Sequence, residues 1–231
     1  QALTASDLAP ALSVVEEITR YSVDGANGVR TDCHLVLGDT TFNAEPGKEP
    51  RASGSLALAS GLVDALLMEH YQGSGVPREG WGHLNTEGQW MALAQIRNRY
   101  QDILFGTPAV ARDVAAPLLA RVDASFGDPA SPKVILLVGH DSNIGSVLAA
   151  LGISDYSLPG QYEETPIGGL LQFERWRDRQ SGGERFRLAY VYPTTAQLRD
   201  AVPLTEAQPP GRVALPLPGC DRQGCSRVPF Q

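Results

Sequence analysis

The segment Val134-Ile-Leu-Leu-Val138, followed by Gly139-His140-Asp141-Ser142-Asn143, constrains the fold of this chain most. Five consecutive apolar residues, mostly β-branched or leucine, predict a fully buried strand. The apolar residues from Ile144 to Leu151 recur at helical spacing, which predicts that a helix follows the strand. Because open α/β sheets bind ligands beyond the carboxyl ends of their strands, His140 and Asp141 are candidate site residues.

The residues alone leave several interpretations of His140-Asp141-Ser142 open. A hydrolase triad within three neighbours is disfavoured, because successive side chains on an extended chain point in opposite directions. A metal site would need further ligands, and none of His34, His70 and His83 has metal-ligand spacing to His140. Two interpretations remain. In one, Asp141 or Ser142 caps the helix and His140 is an ordinary strand-end histidine; in the other, helix amides and the imidazole form an anion site that suits a phosphate group.

Composition narrows the classes of partner. The chain has 231 residues, of which 42% are hydrophobic and 19% charged, as in an ordinary globular protein. The net charge of −7 disfavours nucleic acid or an anionic membrane surface as the main partner. No apolar stretch approaches the roughly 20 residues of a transmembrane helix. The chain begins at Gln1 without a signal-peptide pattern, so we interpret it as a trimmed mature protein or a portion of a longer one.

The first part of the chain alternates between helical patterns and loop-forming residues. Periodicity, capping signals and a helix-starting proline predict helices over Asp7–Tyr21, Ser55–Tyr71, Asn85–Phe105 and from Pro108 past Val122. Residues 38–54 and 73–80 are rich in glycine, proline and polar residues and predict loops.

The last part predicts a sheet. Residues 170–176 and 185–192 alternate between apolar and polar, and the Ser181-Gly-Gly turn between them predicts a hairpin. A proline-rich tail follows. We therefore predict an α/β fold, with a mostly helical lobe over residues 1–130 and, over residues 131–231, part of a mixed α/β sheet domain flanked by helices.

The cysteines favour a compartment outside the cytosol. Cys220 and Cys225 bracket a short turn, and a disulfide there would stabilise the fold by about 2 kcal/mol on the loop-entropy model. Two free thiols or a metal-binding pair are the alternatives. Cys33 is left over, either free or paired with a cysteine in sequence that is absent here.

The motif Gly139-His140-Asp141-Ser142-Asn143 resembles the His-Asp motif of the histidine acid phosphatases, the branch of the histidine phosphatase superfamily that includes bacterial phytases and periplasmic glucose-1-phosphatases. The resemblance covers nearly the whole chain and is strongest to the glucose-1-phosphatase group. Its further segments are Gly80-Trp-Gly82, Gln89-Trp90, Thr107–Arg112, Gln161–Gly169, Phe173–Trp176, Tyr190–Tyr192, Gln197–Arg199 and Pro209–Cys220.

The resemblance implies a two-step phosphoryl transfer without metal or organic cofactor. A histidine in an Arg-His-Gly motif attacks phosphorus, a phosphohistidine forms, and water then releases phosphate. His140 would hydrogen-bond a phosphate oxygen, and Asp141 would protonate the departing alcohol oxygen. A small phosphomonoester is the implied substrate, and the periplasm or secretion the implied location.

The chain lacks one part of that machinery. Its four histidines follow Cys33, Glu69, Gly82 and Gly139, so it contains no Arg-His-Gly. In the family the nucleophile belongs to the amino-terminal segment. We therefore predict that this chain is the carboxyl-terminal portion of a longer protein. The missing amino-terminal segment of the same protein is then a partner that this chain contacts. Nothing in the sequence predicts an oligomeric state.

The resemblance also places substrate-binding candidates on the helix of residues 56–72. Asp64 and Gln72 are expected near the substrate pocket, with two solvated helix positions as the alternative. Glucose-1-phosphatases tend to carry Glu where Gln72 stands, whereas phytase-like members carry a neutral residue, so inositol phosphates are possible substrates. Arg97 and Arg112 are further basic candidates, for which an ion pair is the favoured role.

Two other classes of function are compatible with the same residues. One is a non-enzymatic relative that binds phosphate or sugar phosphate. The other is a phosphomutase, which would retain its phosphoenzyme and return the phosphoryl group to a second position of the substrate.

Overall fold

The computed structural model describes residues 5–19, 40–45, 48–73, 79–220 and 224–225. The chain divides into two compact units, one formed by Gln1–Tyr100 with Thr195–Pro203 and the other by Gln101–Thr194 with Leu204–Gln231. Helices and two small antiparallel sheets make up the described residues, which confirms the α/β class. The predicted domain boundary at residue 130 stays a prediction. Cys33 and His34 lie outside the described residues.

The first unit consists mainly of helices. Its elements are α1 (Ala5–Thr19), β1 (Thr41–Asn43), β2 (Arg51–Ser53), α2 (Ser55–Tyr71), a 3₁₀ turn (Glu79–Gly82), the greater part of α3 (Glu87–Phe105) and α6 (Thr195–Arg199). The apolar stripe of α1 is buried as its periodicity predicts. The bounds of α2 are those predicted from the sequence.

Local hydrogen bonds start α3 where the sequence predicts. The Thr86 hydroxyl accepts a hydrogen bond from the Gln89 amide at 3.3 Å, and Gln89 Oε1 accepts one from the Thr86 amide at 3.1 Å. This reciprocal pair is a capping box, which satisfies two amides that the helix leaves unpaired. Beyond α3, Pro108 begins α4 (Pro108–Gly127) in the position where proline costs no hydrogen bond.

The length and apolar content of the helices determine whether any of them could span a membrane. Among the described residues, no single helix combines the length and apolar character that crossing a membrane requires. The helices α3 and α4, which meet at a bend of 78°, pass that test only as a pair and only by length and composition.

The predicted loop over residues 38–54 contains a small hairpin that the sequence analysis missed. β1 and β2 pair antiparallel, with Thr41 opposite Ser53, and the two hydroxyls lie 2.7 Å apart. Both strands have three residues, largely exposed, and therefore no apolar alternation that could reveal them. The loop prediction is wrong for these six residues.

The second unit contains the predicted hairpin. β3 (Leu170–Arg177) and β4 (Glu184–Tyr192) pair antiparallel with Leu170 opposite Val191, which confirms the hairpin and its turn. A third strand, β5 (Gly211–Leu215), pairs with the other edge of β4, so that β4 is central. The tail prediction missed β5, and it missed that Cys225 exchanges two backbone hydrogen bonds with Phe186 of β4.

The core of this unit lies on one face of β4. Alternate residues Leu188, Tyr190 and Tyr192 are buried and pack with Leu148 of α5 (Asp141–Ala150) and Leu215 of β5. The residues between them on the strand, Ala189 and Val191, point to the other face, as the period of a strand requires. The α4 helix packs on α5.

The strongest prediction of a strand is wrong in this structure. Val134–Val138 forms neither a strand nor part of the core, and its five side chains are exposed by 36% to 90%. A buried strand needs neighbouring strands that pair with its backbone on both sides. Among the described residues, every strand pairs within the β1–β2 or the β3–β4–β5 sheet, and neither sheet includes this segment.

Candidate active site

The amino-terminal end of α5 carries the predicted His-Asp pair. His140 is the N-cap residue, with an extended backbone (φ −117°, ψ 169°), and α5 begins at Asp141. The Asn143 side chain accepts a hydrogen bond from the His140 amide at 2.9 Å. A Cβ atom at position 139 would lie 2.7 Å from Asn143 Oδ1, which explains the glycine there. The helix start is confirmed, but its cap is His140 and not Asp141 or Ser142.

The carboxyl group of Asp141 accepts a hydrogen bond on each oxygen. Gln101 Nε2 donates to Oδ2 at 2.9 Å, and the Ser142 amide donates to Oδ1 at 2.7 Å. The side chain is half-buried. Two donors fix the plane of the carboxyl group, which suits a group that must pass a proton in a defined direction.

Packing against α3 holds this end of α5 in place. The hydroxyl of Ser146, which is fully buried, donates to the carbonyl oxygen of Phe105 at 3.4 Å. Gln101 and Phe105 are four residues apart and therefore share one face of α3. The same face of α3 thus contacts α5 at Asp141 and again at Ser146.

His140 is exposed beside the amino terminus of α5. Backbone amides at a helix start attract anions because their partial positive charges add to the helix dipole. An accessible imidazole next to those amides can donate a hydrogen bond to an anionic oxygen. The pair His140-Asp141 therefore combines an anion-binding group with a potential proton donor.

Asp64 and Gln72, the predicted substrate residues, belong to the first unit. Asp64 Oδ1 accepts a hydrogen bond from Arg97 Nε at 2.7 Å, and the Arg97 side chain is only 10% exposed against 53% for Asp64. This pair joins α2 to α3 and confirms an ion-pair role for Arg97. Gln72 is exposed at the end of α2. The location of Asp64 and Gln72 near the substrate pocket stays a prediction.

The other described histidines form no metal site with His140. His70 is buried in the first unit, where its Nδ1 lies 3.0 Å from Glu79 Oε2 and its ring centroid 4.3 Å from that of Trp90. Within the described residues, no group of three or more histidine, cysteine or acidic side chains could hold a metal ion.

Arg112 donates to the Pro108 carbonyl oxygen of its own helix at 3.0 Å.

Comparison with known proteins identifies the family. Residues 81–191 match the model of the histidine phosphatase superfamily (branch 2). The glucose-1-phosphatase of Salmonella typhimurium is 43% identical over 209 residues, which cover 90% of this chain and 51% of that protein. This chain belongs to the histidine phosphatase superfamily. The resemblance inferred from the sequence is thereby confirmed.

Two phytases extend the comparison. Phytase AppA of Escherichia coli K12 is 35% identical over 192 residues, which cover 77% of this chain and 44% of that protein. The solved structure of the Citrobacter braakii phytase superimposes with a TM-score of 0.83 at 27% identity, covering 96% of this chain and 57% of that one. The histidine phosphatase chain therefore spans about half the length of the curated relatives it matches.

The part of this histidine phosphatase chain that matches the family model includes Gln101, His140 and Asp141 but neither Asp64 nor Gln72. All of these residues except Gln101 are candidates predicted from the sequence. That residue lies 40 positions before Asp141, on a different helix, and no local pattern distinguishes it from other polar helix residues. Only the packing of α3 on α5 brings the two side chains together.

Proposed function

We propose that the protein to which this chain belongs hydrolyses phosphomonoesters, such as sugar phosphates, through a phosphohistidine. The main support is the Asp141 carboxyl group, held by Gln101 at 2.9 Å beside the exposed imidazole of His140. His140 hydrogen-bonds a phosphate oxygen of the substrate. As the nucleophilic histidine bonds to phosphorus and the bond from phosphorus to the ester oxygen breaks, the proton of Asp141 moves to that oxygen. Water then attacks phosphorus, gives a proton to Asp141 and releases phosphate from the histidine.

The nucleophilic histidine lies, in this proposal, in an amino-terminal segment outside the chain. Three observations support this: the 231 residues contain no Arg-His-Gly, the chain covers 51% of its glucose-1-phosphatase relative, and Val134–Val138 is exposed. Neighbouring strands supplied by that segment would cover the five apolar side chains and bring the nucleophile to His140. Residues 1–231 alone are expected to release no measurable phosphate.

Substitution of Asp141 tests the proton-donor role. In the full-length protein, Asp141→Asn should reduce kcat for glucose 1-phosphate by about 10²- to 10⁴-fold, because an alkoxide leaves poorly without a proton. The loss on p-nitrophenyl phosphate should be far smaller, since a phenolate needs little protonation. Asp155→Asn, an equivalent change at an exposed position of the same unit, serves as the matched control. Equal losses on both substrates would exclude Asp141 as the donor.

The site of covalent attachment can be tested directly. The full-length protein, quenched during turnover of labelled phosphomonoester, should yield one phosphohistidine located upstream of this chain. Label on His140 would contradict the assignment of the nucleophile, and absence of any phosphoenzyme would favour a protein that only binds phosphate esters.

The substrate preference is proposed to depend on Gln72. Both glucose-1-phosphatases and a phytase are relatives of this chain, and a neutral residue at this position leaves a highly charged inositol phosphate acceptable. Gln72→Glu should lower kcat/KM for inositol hexakisphosphate on the order of tenfold more than for glucose 1-phosphate, because like charges repel. If the ratio of kcat/KM for the two substrates were the same in Gln72→Glu and in the unchanged protein, Gln72 would not line the substrate pocket.

We also propose that Cys220 and Cys225 form a disulfide and that the protein works in the periplasm or outside the cell. The two sulfurs are in contact, with the Cα atoms 4.9 Å apart. Disulfides persist in oxidising compartments and are rare in the cytosol. Alkylation of the native protein before reduction, followed by mass spectrometry, should leave both cysteines unlabelled.

A further inference from the structure

One side chain of the second unit contacts the proposed proton donor from a helix far away in sequence. Gln101, in the last two turns of α3, donates from Nε2 to Asp141 Oδ2 at 2.9 Å. Its neighbour on the helix is Asp102, and the neighbour of Asp141 is His140, so acidic and basic groups lie close to this contact in sequence.

The orientation of the Gln101 amide points to a role beyond packing. Its Oε1 atom is buried and has no hydrogen-bond partner. An unsatisfied buried oxygen is costly, and such an atom in a folded protein calls for an explanation. In the observed orientation Nε2–H donates to Asp141 Oδ2, although this leaves Oε1 unpaired.

We propose that Gln101 is a positioning residue for Asp141, which stabilises the carboxylate formed when the proton leaves; this rests on the proposed function. Before transfer, the proton is on the Asp141 carboxyl group. During transfer it moves to the departing ester oxygen, and the negative charge left behind is met by Gln101 Nε2–H on Oδ2 and by the Ser142 amide on Oδ1. The same bond fixes the plane of the carboxyl group before the reaction.

The test uses the full-length protein with Gln101→Met, which keeps the length of the side chain but removes the donor. Gln95→Met is the matched control, since Gln95 lies exposed on the same helix. Gln101→Met should lower kcat for glucose 1-phosphate by about ten- to a hundredfold, the effect of one hydrogen bond to a charged group. The loss on p-nitrophenyl phosphate should stay below about threefold.

A double-mutant cycle separates this role from general structural damage. In the Asp141→Asn background, Gln101→Met should change kcat for glucose 1-phosphate by less than about twofold, because the group on which it acts is gone. Equal losses on both substrates would overturn the proposal. So would a full additional loss in the Asp141→Asn background.

Two further outcomes are informative. If Gln101→Met does not fold, Gln101→Leu decides by the same comparison of substrates: a loss confined to glucose 1-phosphate supports the proposal, and equal losses on both substrates overturn it. If Asp141→Asn itself affects both substrates equally, the proposed function fails together with this inference. If Asp141→Asn discriminates between them and Gln101→Met does not, only the role of Gln101 fails.

Discussion

The strand β4 and the segment Val134–Val138 consist of similar residues in different surroundings. β4 pairs with β3 on one edge and β5 on the other, and its residues Leu188, Tyr190 and Tyr192 are exposed by 2% or less. Val134–Val138 is richer in β-branched and leucine residues, yet its Leu136 and Val138 are exposed by 77% and 90%. The intrinsic preference for a strand is at least as strong in the segment that forms none.

The difference between the two segments lies in where their partners come from. The first partner of β4 is joined to it by a hairpin turn, so the chain brings its own neighbour at little entropic cost. Val134–Val138 has no such neighbour among the described residues, because the adjacent elements in sequence are the helices α4 and α5. A strand is therefore a property of the pairing and not of the segment.

Hydrogen exchange should show the largest difference between these two segments. In residues 1–231, backbone amides of Leu188–Val191 should exchange at least about 10³-fold more slowly than those of Ile135–Val138, because only the former lie between two paired strands. In the full-length protein the exchange rates of the two segments should become similar. Strong protection of Ile135–Val138 in residues 1–231 would show that the segment already has a partner there.

Two identical substitutions compare the energetics of the two segments. In residues 1–231, Leu188→Ala should lower the free energy of unfolding by about 2 to 5 kcal/mol, since it leaves a cavity in the core of the second unit. Leu136→Ala should change it by less than about 0.5 kcal/mol, because that side chain is 77% exposed. Urea unfolding measures both. A large cost for Leu136→Ala would mean that the segment packs in solution.

The sequence predicted those parts of the fold whose information is local. The bounds of α2, the capping box of Thr86 and Gln89, and the β3–β4 hairpin all depend on residues within a few positions of one another. It failed where partners are distant or the signal is short: at Val134–Val138, at β5 in the proline-rich tail, and at the exposed strands β1 and β2. In each of these, pairing decides and periodicity does not.

The candidate site divides in the same way. His140 and Asp141 follow from a contiguous motif, and their position at the start of α5 is as expected. Gln101 could not be found from the sequence, because its contact with Asp141 spans 40 residues and depends on the packing of two helices. The ion pair of Asp64 with Arg97 spans 33 residues. The sequence predicts an ion pair for Arg97 but does not predict that Asp64 is its partner.

The tail sharpens the comparison, because it too supplies a distant partner to β4. Cys225 exchanges backbone hydrogen bonds with Phe186 at 2.8 and 2.9 Å, and the proposed disulfide links it to Cys220. Cys220→Ser should lower the free energy of unfolding by about 2 kcal/mol on the loop-entropy model. Dithiothreitol should lower that of the unchanged chain equally and leave the variant unaffected. An effect of reductant on the variant would point to another disulfide.

The smallest effect concerns the turn that gives β4 its first partner. Asp178 Oδ1 accepts hydrogen bonds from the amides of Ser181 at 2.8 Å and Gln180 at 2.7 Å, and these bonds lower the pKa of the Asp178 carboxyl group below its ordinary 3.8. Because the folded pKa is the lower one, this stabilisation is complete above pH about 5 and is lost as the pH falls through the folded value.

Asp178→Ala should therefore weaken the turn at neutral pH and remove this acid-dependent part of its stability. The expected result is faster exchange of the Ser181 and Gln180 amides at pH 6, with little difference from the unchanged chain at pH 2 after correction for intrinsic rates. Asp155→Ala, at an exposed position of the same unit, should change neither. If the hairpin amides in β4 remained as protected in Asp178→Ala as before at both pH values, the strand pairing would not depend on the turn. The β3–β4 pair would then be held by its packing against α5, and proximity along the chain would not explain why β4 has a partner and Val134–Val138 has none.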